Sequence, residues 1–204
     1  MEPPETHHPH VRHGGLPRWL ELVIAVTALV TSISSIAIAV HHGRIMEKLV
    51  QANSLPYLQG GFSDATPEGE RVLSLDLLNR GVGPAHERSL RVKVDGRYVN
   101  SLRELLAASL GEDQADPADE ALVTLQNRVK TRFVPGGQTQ MVFRIPKTPG
   151  SEPYWDRVVA AQGRWQLEYC YCSVFDECWE VRGKWEEPAR VEACTRNEEN
   201  EFIP

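Results

Sequence analysis

The residues with the widest chemical latitude are four cysteines, Cys170, Cys172, Cys178 and Cys194, spaced C-x-C-x5-C-x15-C near the C-terminal end of the chain. Thiols at that density can close disulfides, ligate a metal or exchange electrons. Four cysteines permit three connectivities, and the sequence alone does not choose among them. If Ser173–Glu177 is the loop of a hairpin, Cys172 stands opposite Cys178, with Cβ atoms roughly 4.5–5.5 Å apart, near the separation a bridge needs. Cys170 could then meet Cys194 if the chain folds back. The spacing matches no common zinc pattern, which makes a metal site of Cys172, Cys178 and His86 the weaker reading. The C-x-x-C arrangement of a redox-active pair is absent as well. His7, His8, His10 and His13 lie among Pro3, Pro4, Pro9 and Pro17 and read as a solvated tail without preformed ligand geometry.

Other reactive patterns are missing. Gly81-x-Gly83 is followed by Pro84 and not by a helix-opening glycine, so it reads as a turn between strands; Asn79, Gly81, Gly83 and Pro84 are its structural residues. The chain holds no G-x-S-x-G, no H-E-x-x-H and no Walker lysine. No catalytic residue, metal ligand or cofactor is therefore assigned. Phe175, Asp176 and Glu177, at the tip of the hairpin, are a candidate contact for a partner.

The elements that must position these residues follow from periodicity. In Trp165–Trp185, the register that places Cys172 against Cys178 also pairs Cys170 with Glu180, Glu168 with Arg182 and Gln166 with Lys184. The opposite face then collects Tyr171 with Trp179, Tyr169 with Val181 and Trp165 with Trp185. Upstream, Val72–Leu78 alternates loosely. Leu90, Val92 and Val94 alternate with Arg91, Lys93 and Asp95, and Asp95-Gly96 is a hairpin turn. Ser101 with Glu104 forms a capping box for a helix carrying Leu102, Leu105, Leu106 and Leu110, and Gly111 stops it. An acidic mobile loop is expected over 111–120, then strands over Leu122–Val134 and Gln138–Ile145, and a second short helix over Tyr154–Gln162 capped by Ser151. With no βαβ alternation, the expected class is mainly β (α+β): an antiparallel β-sandwich-like domain with two short helices.

Leu22–Val40 places this body. Its 19 residues lack charge, Gly and Pro and span roughly 28 Å as a helix, close to the hydrocarbon thickness of a bilayer. Its hydroxyls, Thr27, Thr31, Ser32, Ser34 and Ser35, can bond back to carbonyls one turn earlier. Ala37-Ile38-Ala39 resembles a signal-peptide cleavage site, but the leader carries only Arg12 and Arg18 and nothing breaks the helix before it, which favours an uncleaved anchor. The expected organisation is a tail over 1–19, a transmembrane helix over 20–41 in contact with lipid, a helical stalk over 42–55, a β-rich domain over 56–195 and a C-terminal tail over 196–204. Ala28, Ser32, Ser35 and Ala39 line up as a narrow small-residue seam through which two copies could pair.

Charge divides unevenly. Residues 1–54 hold four basic and four acidic residues, and residues 55–204 hold 18 against 24, so the whole net charge of −6 sits on the body and argues against nucleic acid as a partner. Positive flanks tie at the two ends of the apolar segment. A short N-terminal tail most simply stays in the cytoplasm while the body is exported, to the periplasm in a Gram-negative bacterium.

Asn53-Ser54-Leu55-Pro56-Tyr57-Leu58-Gln59, the turn Asn79-x-Gly81-x-Gly83-Pro84-Ala85 and Tyr171-Cys172-Ser173-Val174-Phe175-Asp176-Glu177-Cys178-Trp179 resemble an uncharacterised group of bacterial single-pass inner-membrane proteins with one C-terminal β-domain. The likeness covers residues from about 20 to 195, with Leu55 standing where the group carries Trp. It implies placement and fold and no mechanism. The sequence thus leads to a membrane-tethered binding or accessory module without catalysis of its own, acting on an unidentified protein partner. The alternative is a small membrane-bound enzyme or a metal or redox sensor built on the Cys172/Cys178 region.

Overall fold

The computed structural model describes residues 17–129, 131–183 and 186–204. The N-terminal histidines and the pairings expected for Lys184 and Trp185 lie outside these residues. Two compact units divide between Leu49 and Val50.

The first unit is dominated by α1, Arg18–Ala52, a continuous helix of 35 residues. It is long and apolar enough to cross a membrane, with a mean hydropathy of 2.3 in its most apolar window and none of that window buried. The helix runs on through the expected stalk. Four of the five hydroxyls expected to bond back do so: Thr27 Oγ1 donates to the Val23 carbonyl at 2.9 Å, Thr31 to Thr27 at 2.9 Å, Ser32 to Ala28 at 2.7 Å and Ser35 to Thr31 at 2.8 Å. Each bond lowers the cost of placing a hydroxyl in hydrocarbon. Ala28, Ser32, Ser35 and Ala39 all lie on exposed helix surface.

The second unit holds ten strands among the described residues, arranged as two antiparallel sheets. One sheet has the order β1-β2-β7-β5, with β1 at Leu58–Ser63, β2 at Val72–Asn79, β7 at Thr139–Pro146 and β5 at Leu125–Gln126. The other has the order β10-β9-β8-β3-β4, with β10 at Ala189–Val191, β9 at Cys178–Val181, β8 at Trp165–Cys172, β3 at Ala85–Val94 and β4 at Arg97–Val99. A short β6, Arg132–Val134, also pairs with β3. The alternation of β2 and β3 sets which side chains turn inward. Leu73, Leu75 and Leu77 meet Leu90, Val92, Phe143, Ile145 and Tyr171 in a single core. Truncating one of these leucines to alanine costs about 2–5 kcal/mol. The Asp95-Gly96 turn has the expected form, with φ of 50° and 80°.

Helix α2, Leu102–Leu110, buries the four leucines of its stripe. Ser101 Oγ accepts from Glu104 N at 3.2 Å, while the Glu104 carboxylate accepts from Asn100 N, one residue before the cap. Gly111, at φ 104°, ends the helix.

The structure departs from the sequence-based expectation at four places. Residues 111–120 are not a loop: Glu112–Ala121 forms α3, with Glu112 and Asp113 in its first turn and Ala115 and Ala118 buried. Acids at the N-terminus suit the helix dipole, and small alanines let α3 lie close against the body, but neither produces a visible apolar stripe. Leu122–Val134 is not one strand but two fragments, β5 on one sheet and β6 on the other. The helix after Gly150, α4, spans Glu152–Ala161; Ser151 precedes it, yet its hydroxyl donates back to the Thr148 carbonyl at 2.7 Å and does not cap the helix. Among its described residues the body therefore carries three α-helices where two were expected. The C-terminal residues, expected as a tail, pack against the body instead. Phe202 N donates to the Leu90 carbonyl at 2.8 Å, and the Glu201 carboxylate accepts from Leu90 N and Ser89 Oγ, so these residues serve the stretch of β3 that neither β4 nor β6 reaches.

Candidate functional site

Strand β8 organises both candidate sites, because its two faces carry different chemistry. The hairpin register is the one expected from sequence: Cys172 opposite Cys178, Tyr171 opposite Trp179, Cys170 opposite Glu180 and Tyr169 opposite Val181. Two disulfides lie on the outward face, Cys172–Cys178 across the hairpin and Cys170–Cys194 to the following segment. Beyond their own bonds, Cys172 Sγ and Cys194 Sγ approach to 3.6 Å, and the sulfurs of Cys172, Cys178 and Cys194 lie within 4.8 Å of one another. While bridged, these sulfurs offer no thiolate to a metal.

His86 is the residue of β3 directly opposite Cys172, and its ring stands edge-on to Phe133 of β6 at 5.8 Å. Burial, then the positive charge of Arg88, holds the imidazole below its ordinary pKa, with Asp176 pulling the other way. Glu87, the next residue, is turned into the interior, where Arg132 bonds it at 3.0 Å. Burial raises the Glu87 carboxyl above its usual range even though Arg132 opposes the rise. The two neighbours in sequence thus do not form an acid–base pair.

The expected ion pair of Glu168 with Arg182 is not formed. β9 ends at Val181, and Arg182 turns back to Glu180 at 2.7 Å. Glu168 is held from the other side of β8, by Lys93 at 2.5 Å and Arg91 at 3.5 Å on β3. A central strand has two neighbours, and the one remote in sequence supplied the cations. Glu180 completes the group. Burial works against its charged form, but hydrogen bonds from Arg182 and Arg91 outweigh burial and hold its carboxyl below the ordinary value.

The hairpin tip folds on itself: Ser173 N donates to the Glu177 carbonyl, and Ser173 Oγ accepts from Phe175 N and Glu177 N. Glu177 pairs with Arg190 at 2.7 Å and Asp176 lies 3.8 Å from Arg88, while Phe175 stays exposed.

The Asn79 turn is built for close approach. Asn79 Nδ2 donates to the carbonyls of Gly83 and Val134, and Oδ1 accepts from Tyr57 N and Gly81 N. A Cβ on Gly83 would stand 1.9 Å from the Ser54 carbonyl oxygen, and one on Gly81 would stand 2.4 Å from that of Leu55. Only glycine lets residues 54–57 lie across this turn.

The inward face of β8 forms the floor of a cleft of about 520 Å³ at the side of the sandwich, beside edge strand β1. Leu167, Tyr169 and Val181 line it from one sheet, Gly60 and Phe62 from the other, and Val159 and Gln162 close one end. Phe62 meets Trp165 edge-on at 5.1 Å. The Tyr169 hydroxyl caps the free edge of β1, donating to the Leu58 carbonyl at 3.1 Å and accepting from Gly60 N at 3.0 Å. Burial raises the Tyr169 pKa, which keeps the donating proton in place. A second hollow of about 530 Å³ adjoins the cleft through Tyr57 and Pro188 and brings Leu55, Gly81, Val82, Tyr171 and Trp179 together. The cleft is assembled from three separate stretches of chain, 57–62, 159–169 and 181–188. Its only signals in the sequence were the Gly60-Gly61 pair inside a strand and the aromatic alternation of β8.

No protein-family model and no curated protein sequence matches the chain.

Proposed function

We propose that the chain is a single-pass protein of a bacterial inner membrane that displays its β-rich body in the periplasm as a binding module, with the β1–β8 cleft as its ligand site and no catalytic activity of its own. The apolar helix α1 supports the tether. Two disulfides suit an oxidising compartment, which favours export of the body. The likeness of its three motif segments to single-pass inner-membrane proteins points the same way.

The observation that carries the reading is the cleft. It is concave, has aromatic and aliphatic walls, and is rimmed by Gln59, Gln162 and Glu186. Ligand sites of this size pair apolar walls with polar groups that fix orientation, and here polar and apolar surface share the exposed lining about equally. The group it suits is an apolar or aromatic moiety on a larger partner, such as a protein side chain, with polar or cationic flanks facing Glu186. A photo-crosslinking residue placed at Gln162 in the full-length protein, irradiated in native membranes, should give discrete adducts. The same residue at the exposed Glu120 on α3 should give none, and Val159→Trp, which fills the cleft, should abolish the Gln162 adducts in protein that retains both disulfides. Equal labelling from Gln162 and Glu120, or adducts indifferent to Val159→Trp, would refute the site. A compartment-sensitive reporter fused after Pro204 tests the export independently.

A further inference from the structure

The two bridges are not separate staples. Cys170–Cys194 and Cys172–Cys178 lie side by side on one face of β8, and the sulfurs of Cys172 and Cys194 are in contact at 3.6 Å without being bonded. The four cysteines also differ in access. Cys170, Cys172 and Cys178 are buried, while Cys194 is only partly buried, in a segment whose neighbours Glu192, Ala193 and Thr195 are exposed. Thiol–disulfide exchange needs a thiolate within reach of a disulfide sulfur, and its rate depends on access to the sulfur attacked. Here the sulfur of the least buried of the four cysteines touches a buried cysteine's sulfur in the other bridge.

We propose that the four sulfurs form one thiol–disulfide exchange site, in which an external dithiol attacks at Cys194 and the reducing equivalents pass through a Cys172–Cys194 bond to the buried hairpin bridge. A thiolate of the dithiol attacks Cys194 Sγ, forming a mixed disulfide and releasing Cys170 as a thiolate, which takes a proton from water. The second thiol of the dithiol resolves the mixed disulfide, leaving as a cyclic disulfide and freeing Cys194 as a thiolate. That thiolate attacks Cys172 Sγ, a Cys172–Cys194 bond forms, the Cys172–Cys178 bond breaks, and Cys178 departs as a thiolate that is protonated in turn. The dithiol has lost two electrons, and the protein holds one bridge and two thiols, now on Cys170 and Cys178. The reactant is therefore a dithiol, consumed one per chain, on a small molecule or on a protein able to bring its sulfur to the solvent side of Cys194. Two mutually inert structural bridges would leave the native partners of each cysteine unchanged.

The test uses full-length protein in detergent, treated with one equivalent of dithiothreitol, quenched in acid, alkylated and mapped by fragmentation that separates Cys170 from Cys172. Among singly reduced molecules, a species bridged Cys172–Cys194 and alkylated at both Cys170 and Cys178 is expected. Singly reduced molecules that retain only native pairings would overturn the proposal, as would resistance of both bridges to the dithiol while the body stays folded. Cys178→Ser provides the second measurement. In that variant Cys172 should share Cys194 with Cys170, so that alkylation divides between Cys170 and Cys172. Alkylation confined to Cys172, in a variant whose unfolding remains cooperative, would equally count against exchange.

Discussion

The two faces of β8 hold one strand in place by different means. Inward, Trp165, Leu167, Tyr169 and Tyr171 are buried in the core between the sheets. Outward, with no second sheet above them, Glu168 sits in a cluster with Arg91 and Lys93, while Cys170 and Cys172 are bridged. A face that meets another sheet gains stability from volume filled and area removed from water. A face without that cover gains it from bonds whose strength does not depend on filling space. Damage inside should therefore scale with atoms deleted, and damage outside with connections cut.

The largest expected effect lies on the inward face. Tyr171 is 1% exposed and stacks near both Tyr169 and Trp179. Tyr171→Ala should lower the unfolding free energy of the body by about 3–5 kcal/mol, as for other large buried aromatics. Urea denaturation followed by tryptophan fluorescence measures it, and a much smaller loss would mean that the interior is not what anchors β8.

The bridges come next, and they should rank by loop length. The Cys170–Cys194 bridge has a sequence separation of 24 and the Cys172–Cys178 bridge one of 6. Chain entropy assigns them about 3.5 and about 2 kcal/mol respectively. Replacing each pair by serines and comparing denaturation midpoints checks the ranking; the reverse order would show that the short bridge acts through native contacts and not through the unfolded chain. Glu168→Gln should follow at about 1.5–2 kcal/mol, the scale of hydrogen bonds to a charged group, with a deficit that narrows as salt is added.

The smallest effect belongs to His86, beside the sulfurs. Its pKa in the folded protein lies below the ordinary 6.5. The folded state therefore binds the proton less readily than the unfolded chain, and the corresponding stability is full above that value and lost as pH falls through it toward the folded pKa. His86→Phe should flatten this part of the stability profile. Glu87, whose pKa is raised, gives a slope of opposite sign between its raised pKa and the ordinary carboxylate value, and that slope is unchanged by the substitution. Identical slopes in thermal melts of the two proteins below pH 6.5 would show that His86 is not a source of the pH dependence.

What could be read in advance was local. The hairpin register was legible because period-2 alternation, two cysteines and a loop of five residues all agree on one pairing. Four hydroxyls of α1 bonded where a helix would place them for the same reason. Helix α3 was not legible, since Ala115 and Ala118 bury through smallness and Pro117 within the helix argues against it. The partner of Glu168 was misjudged because Arg91 and Lys93 lie 75 or more residues away along the chain. The cleft left only faint local signs, the Gly60-Gly61 pair and the aromatic alternation of β8, because it is the space that remains when strands remote in sequence come to lie beside one another.

The seating of residues 54–57 on the Asn79 turn has a mechanical consequence. Any pull transmitted along the chain from α1 meets the backbone clasp at Ser54–Gly83 and the Tyr57–Asn79 hydrogen bond before it reaches β1. Tension is grounded there, and the edge strand that borders the cleft is spared it.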